Sequence, residues 1–229
     1  MENQKYASFK REKISSLPGY LFNTMDIGLK WPSKDDNGGI NLHGMLMSIG
    51  FVFLQGEALL SYRLYRYDND ILSKCIHSVF HVLSLSFCIT AFIVMILQRS
   101  YHGQNHFTTF HSWIGIAVIF LYIMQSLFGF INFLLSVISE EVRGNFLPLH
   151  QTLGSLLFTV SIVQAAIGYT RYNGIFNPIS NNHNASLVSD QLKFVLNFTI
   201  ISGILYGVSV LMLVVPDAWK RREIRTEVQ

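Results

Sequence analysis

Five apolar stretches, each about as long as a lipid bilayer is thick, limit what this chain can fold into. They run over residues 42–62, 76–98, 110–138, 147–169 and 194–215. A hydrocarbon core of about 30 Å takes ~20 residues of helix. Inside the five stretches stand one carboxylate, Glu57, and no Lys or Arg. With 14% charged residues in the whole chain, against roughly 25% in soluble domains, five buried helices of a soluble fold would lack a polar surface to cover them. The expected fold is therefore an all-α membrane protein, a bundle of five transmembrane helices. A polar N-terminal segment, 1–40, precedes the transmembrane domain, 41–216, and a basic tail, 217–229, follows it.

Several function classes are excluded early. The net charge of +3 comes from basic residues that border apolar spans and form no patch interleaved with exposed aromatics, so nucleic acid is not a partner. Cys75 and Cys88 lie at or within the second span and are expected as buried free thiols, with neither a disulfide framework nor metal spacing. The N-terminus, MENQKYASFKREK, has no apolar signal-peptide core. No P-loop, dinucleotide turn or CxxC occurs, and no soluble stretch is long enough for an NAD(P)H or flavin domain. Serine and carboxylate catalysis lack partners, because no second acid accompanies Glu57.

Short loops make neighbouring spans antiparallel. The side on which the first span ends, side 1, carries eight basic residues in its flanks: Arg63, Arg66, Lys74, Arg143, Lys220, Arg221, Arg222 and Arg225. The loops of side 2 carry three, Arg99, Arg171 and Lys193. Positive charge stays cytoplasmic, so side 1 is expected to face the cytosol. The sequon at Asn184 falls on side 2, where a glycan can be added, and Trp219 reads as an interfacial anchor. One count runs the other way, since residues 1–40 hold six basic residues and five spans place them on side 2.

Four histidines, His43, His77, His111 and His150, stand at or near the starts of the first four spans. Antiparallel alternation brings His43 and His111 to side 2 and His77 and His150 to side 1. Imidazoles inside lipid have no water to satisfy them and usually face the bundle interior. Two neutral imidazoles on facing helices are the axial ligands of a bis-histidine haem. The plainer reading is four interfacial histidines that cap helix ends. Pairing by depth at both faces favours haem ligation. His81, one turn after His77, competes for the same site, but His77 matches His150 better in depth.

A repeat strengthens this reading. From His111, Gly115, Gln125 and Gly129 lie at +4, +14 and +18; from His150, so do Gly154, Gln164 and Gly168. At about 100° per residue these offsets remain within roughly 40° of the histidine's own face. The near glycine would leave room for a flat macrocycle. The glutamine lies ~21 Å deeper, near the opposite site. The first span echoes the pattern with Glu57 at +14 from His43. Gln125 and Glu57 are thus expected beside the side-1 pair and Gln164 beside the side-2 pair, as groups that tune potential, pass protons or simply bond helix to helix.

The words ALLSYRLYR (58–66), SKCIHSVFH (73–81), FHSWIG (110–115) and LPLHQTLG (147–154), preceded by GLKWPSKDDNGGINLHG, resemble the transmembrane cytochrome b561 family. The resemblance runs from about Met25 to about Arg222. It implies two haem b groups with axial ligand pairs His43/His111 and His77/His150. It also implies electron transfer across the membrane from cytosolic ascorbate to monodehydroascorbate or a ferric chelate on the other side. The family's ascorbate site uses basic residues ahead of its side-1 histidines, matched by Lys74 and Arg143, while Asp70 replaces a further lysine. Arg63 matches a residue that approaches haem propionate or ascorbate. No residue is expected to catalyse covalently.

Family members usually have six helices. Residues 1–24 hold only SSLPGYLF as an apolar run, too short to span, so the usual first helix is expected to be missing. In the side-2 loop RSYHGQNHF, Arg99, His102, Asn105 and His106 could receive the acceptor. The plasma membrane and endosomal, lysosomal or secretory vesicle membranes are all open as locations, as is a homodimer. Two rival classes remain: a transporter using the buried His, Gln and Glu57 as a proton or ion path, and a non-catalytic haem-binding subunit.

Overall fold

A computed structural model describes residues 28–65, 69–176 and 190–216. Arg66, the sequon at Asn184, Trp219, the basic tail and most of the N-terminal segment lie outside the described residues. Among those described, the backbone forms five long helices: α1 Gly38–Leu64, α2 Asp70–Tyr101, α3 Phe110–Leu134, α4 Glu140–Phe176 and α5 Asp190–Val214. All five are long and apolar enough to cross a membrane, and the fold is an all-α transmembrane bundle.

Caps explain where two of the helices begin. Asn69 Oδ1 accepts the Ile71 amide proton at 3.0 Å and starts α2 ahead of the apolar stretch. Thr109 Oγ1 does the same for Ser112 N–H at 3.2 Å, which places His111 in the first turn of α3. A side-chain oxygen at this position satisfies a donor that has no partner within the helix. α4 begins at Glu140, ahead of its apolar stretch, and runs through Pro148. Arg143 consequently stands on the helix rather than in a loop. Conversely, α3 ends at Leu134, and the last four residues of the expected third span are loop.

α1 is not regular throughout. Residues Ser48–Leu54 are π-helical, a geometry that inserts an extra residue and is frequent near functional sites. A second π-helical turn, Phe130–Leu134, closes α3.

α1 packs along α2, α3 along α4, and α4 and α1 against α5, with α1 also touching α4. The interior is partly polar. Gln55, Ser61, Ser84, Gln98, Ser161 and Gln164 are buried, while Phe120, Leu205 and Met212 face outward. Lipid offers no hydrogen bonds, so polar side chains bond between helices or to their own backbone. Ser84 Oγ, for example, donates to the Gly50 carbonyl at 2.8 Å and ties α2 to the π-helical part of α1. At mid-bundle Phe51, Cys88, Val118 and Tyr122 form an apolar plug contributed by α1, α2 and α3.

At the side-2 end, residues 28–37 fold over the start of α1. Asn41 Nδ2 donates to the Gly28 carbonyl at 3.0 Å, and Lys30 pairs with Asp36 at 2.8 Å. Gln98 Nε2 and His102 Nε2, both from the end of α2, donate to the Asp36 carbonyl at 2.8 and 3.1 Å. At the opposite end, the Arg63 guanidinium donates to the carbonyls of Val214 and Pro216 and joins α1 to the end of α5.

Candidate functional site

The four histidines meet in two pairs. The rings of His43 and His111 have centroids 6.5 Å apart and planes at 81°. Those of His77 and His150 are also 6.5 Å apart, with planes at 65°. Each pair joins the starts of two parallel helices, α1 with α3 and α2 with α4, so the pairs lie at opposite ends of the bundle. Gln125 touches His150 and stands 14 residues beyond His111 on α3. The two sites are therefore about 21 Å apart along the helix axis.

Hydrogen bonds fix which nitrogen each ring can offer. His43 Nδ1 lies 2.9 Å from the Ala91 carbonyl and His77 Nδ1 lies 2.8 Å from the Ala58 carbonyl. A carbonyl can only accept, so both rings carry their proton on Nδ1 and leave Nε2 unprotonated. This arrangement sets ring orientation and ligand basicity wherever histidine binds a metal.

His81 is linked to the side-1 pair by a chain of contacts. Its Nδ1 is 2.6 Å from the Tyr122 hydroxyl and its Nε2 is 3.1 Å from His77 Nε2. With the His77 proton on Nδ1, the chain runs in one sense: Tyr122 donates to His81, and His81 Nε2–H donates to His77 Nε2. The ring opposite His150 is that of His77. His81 serves as a buried neighbour tied to the apolar plug through Tyr122.

The repeat in α3 and α4 proves to be reciprocal. Gln125 Nε2 donates to the His150 carbonyl at 2.6 Å and lies 2.9 Å from His150 Nδ1. Gln164 Nε2 donates to the His111 carbonyl. A methyl group added at Gly129 would come within 2.8 Å of His150 Cε1, and one at Gly168 within 3.1 Å of His111 Cε1. Each far glycine therefore makes room for the imidazole of the facing helix. The near glycines lie beside the glutamines, Gly115 next to Gln164 Nε2 and Gly154 next to Gln125 Nε2, and Gly115 also lines the cavity between His43 and His111.

Glu57 departs from the expected pattern. It accepts the Tyr206 hydroxyl proton at 3.1 Å and so faces α5 rather than the side-1 histidines. Counting +14 from His43 fails because the π-helical turns lie between the two residues, and each extra residue rotates the remainder of the helix by about 100°. Its neighbour Ala58, at +15, supplies the carbonyl that holds His77.

A cavity of about 630 Å³ lies between His43 and His111 and opens toward side 2, within the ~300–1,000 Å³ usual for small-molecule and cofactor sites. Its mouth is lined by Asn37, Arg99, Gln104, His106 and Arg171. Arg99 Nη1 donates to the Asn105 carbonyl at 2.7 Å, which braces the loop. His102 turns away to the Asp36 carbonyl. Sequence reasoning counted Arg171 only as a loop charge. It stands three residues past Gly168, close to the face that the repeat already marks.

Around the side-1 pair, Tyr62 packs against His77 with centroids 5.0 Å apart, and Phe133 against His150 at the same distance. Lys74 is half-buried one turn before His77, and Arg143 is half-buried two turns before His150. Arg63 lies at the same end, tied to α5.

These residues fit a haem. Two imidazole nitrogens bonded to one iron at about 2 Å each would hold ring centres on the order of 6 Å apart. Both pairs meet that spacing, and each holds a ring whose unprotonated nitrogen is Nε2; on His77 that nitrogen accepts from His81, which would have to release it to an iron. Among the described residues no group of three or more His, Cys, Asp or Glu is placed to hold a bare metal ion.

Comparison with known proteins places the similarity in one family. The sequence profile of eukaryotic cytochrome b561 matches residues 42–177. The chain is 32% identical to transmembrane ascorbate ferrireductase 1 of Arabidopsis thaliana over 189 residues, covering 81% of this chain and 75% of the relative. It is 30% identical to the transmembrane ascorbate-dependent reductase CYB561 of Homo sapiens over 194 residues, or 85% and 74% of the two chains. With the Mus musculus protein of the same name the identity is 29% over the same shares.

Proposed function

The chain belongs to the eukaryotic cytochrome b561 family, and from that premise we propose that it carries electrons across a membrane, from ascorbate on the cytosolic side to monodehydroascorbate or a ferric chelate on the other. It is an integral membrane oxidoreductase of a haem b family. On this reading two haem b groups are held, one between His43 and His111 and one between His77 and His150. The carrying observation is the pair of 6.5 Å imidazole encounters at opposite ends of one bundle.

Haem b, when bound, supplies an iron that takes up and releases one electron at a time. The protein supplies the rest. Main-chain carbonyls of Ala91 and Ala58 hold His43 and His77 with the proton on Nδ1 and Nε2 unprotonated. The plug of Phe51, Cys88, Val118 and Tyr122 fills the space between the two sites with packed side chains. Lys74 and Arg143 at the side-1 rim favour an anionic donor such as ascorbate through charge-assisted hydrogen bonds. Arg63, anchored on α5, closes the same end. Arg99, His106 and Arg171 line the side-2 mouth, where positive charge attracts an anionic chelate or radical. Electron transfer at that mouth needs proximity only, so no tight iron site is required.

Binding of His43 and His77 to main-chain carbonyls also supports this reading over proton or ion transport, because a transport path needs groups free to exchange partners. The deciding experiment is spectroscopy of the purified full chain. Two b-type haems per chain, reduced by ascorbate alone and reoxidised by ferric citrate, support the proposal. A folded but colourless protein sinks it, and a coloured one that ascorbate cannot reduce reassigns it to a haem-binding subunit.

A further inference from the structure

The glutamines of the α3/α4 repeat do more than fill space. Gln125 stands on α3, whose histidine belongs to the side-2 pair, yet it contacts the carbonyl and Nδ1 of His150 in the side-1 pair. Gln164 stands on α4, whose histidine belongs to the side-1 pair, yet it contacts the carbonyl of His111 in the side-2 pair. The exchange is symmetric. Each helix gives a histidine to one site and a glutamine to the other.

A second observation concerns polar atoms without partners. Among the described residues, His111 Nδ1 and Gln164 Oε1 are both buried and without a hydrogen-bond partner, although their residues already touch through the Gln164 amide. Buried polar atoms are nearly always satisfied. A ring N–H needs an acceptor and an amide oxygen needs a donor, so each is what the other lacks. A partial turn about the last bond of the glutamine side chain that keeps Nε2–H on the His111 carbonyl would swing Oε1 toward Nδ1. On side 1 Gln125 Nε2 lies near both the His150 carbonyl and Nδ1, and a partial turn of the amide that leaves Nε2–H on the carbonyl would offer Oε1 to Nδ1–H. The other ring of each pair needs no such help, because Ala91 and Ala58 hold His43 and His77 from the main chain.

We infer that Gln125 and Gln164 are reciprocal positioning residues. Each accepts the Nδ1 proton of the histidine on the facing helix, fixes that ring with Nε2 toward the bundle interior, and sets the reduction potential of the site opposite to its own helix's histidine. This rests on the proposed ligation of haem by the two histidine pairs. An acceptor on Nδ1–H makes the imidazole a more electron-rich ligand, which favours the oxidised iron and lowers the potential.

The test is a redox titration of the purified, haem-loaded chain, followed by the visible spectrum and by low-spin EPR, with the two haems identified through His43→Ala and His77→Ala. Gln125→Leu should raise the potential of the His77/His150 haem alone, and Gln164→Leu that of the His43/His111 haem alone. The expected size is about a tenfold change in the reduction equilibrium, or 59 mV for a one-electron couple. Gln125→Glu and Gln164→Glu keep the shape and strengthen the acceptor, so they should shift the same haems downward. They carry the test if a leucine variant fails to load. Loaded variants that titrate like the parent overturn the inference, as does a shift confined to the haem of the glutamine's own helix. A parent chain without haem sinks the underlying reading as well, so the two failures are told apart.

Discussion

The His150 ring lies against Gly129 of the facing helix, so close that a single methyl group there would come within 2.8 Å of Cε1. Gly168 stands in the same relation to His111 at 3.1 Å. Two main-chain surfaces thus act as seats for two imidazoles.

On the proposed ligation of haem by the two histidine pairs, alanine at either seat should displace an imidazole. Overpacking a close contact forces a rotamer change or a backbone shift. Gly129→Ala is expected to lose the side-1 haem and about half of the bound haem in total, measured as haem per chain. Gly168→Ala has more clearance and should keep its haem with altered EPR g-values. Full haem content and unchanged spectra in both variants would count against the seats.

Tyr122 and His81 should behave as one unit. Removing the hydroxyl in Tyr122→Phe leaves His81 Nδ1 buried without its donor. Hydrogen bonds between membrane helices contribute about 0.6 kcal/mol, and at most about 1.7, so a loss in that range is expected from denaturation in mixed micelles. Combined with His81→Phe, the losses should be less than additive. Additive losses would mean that the 2.6 Å contact does not form.

Arg171 should act on acceptor encounter and not on the haems. Arg171→Ala is expected to raise KM for ferric citrate several-fold at low salt while leaving both potentials in place. The screening length falls to about 8 Å at physiological ionic strength, so the difference from the parent should shrink as salt rises. A salt-independent defect would place the effect elsewhere.

The side-2 cover should loosen in acid. Asp36 accepts from Lys30 Nζ and from the Gly38 amide, and these bonds hold its carboxyl below the ordinary value of 3.8. A carboxyl with a depressed pKa stabilises the folded cover above that ordinary value. The contribution is lost as pH falls through the lower folded-state value. Hydrogen exchange of the Gly38 amide should speed up over that acidic window, and Asp36→Asn should remove the pH dependence. Protection unchanged by acid in the parent would refute the assignment.

Depth was readable from the chain because a helix converts residue number into height. Fourteen residues separate His111 from Gln125, and that alone brought the glutamine level with the opposite site. The same count failed at Glu57, where the π-helical turns of α1 rotate the face and leave height almost unchanged. Cap residues Asn69 and Thr109 were visible as letters, yet the start of α4 at Glu140 was not, because no apolar pattern marks its first turns. Nor could letters reveal that Gln98 and His102 both bind one carbonyl of the folded-back 28–37 segment.

What the sequence determined by itself was the bundle, the level of each histidine and the repeat on α3 and α4, since all three follow from apolar length and helical period. Only the tertiary structure decided the angles at which the paired rings meet, that Ala91 and Ala58 fix two of the tautomers, and that each glutamine contacts the other helix's histidine. Those relations are set by helix rotation and packing between residues far apart in the chain, and one-dimensional spacing carries no record of them.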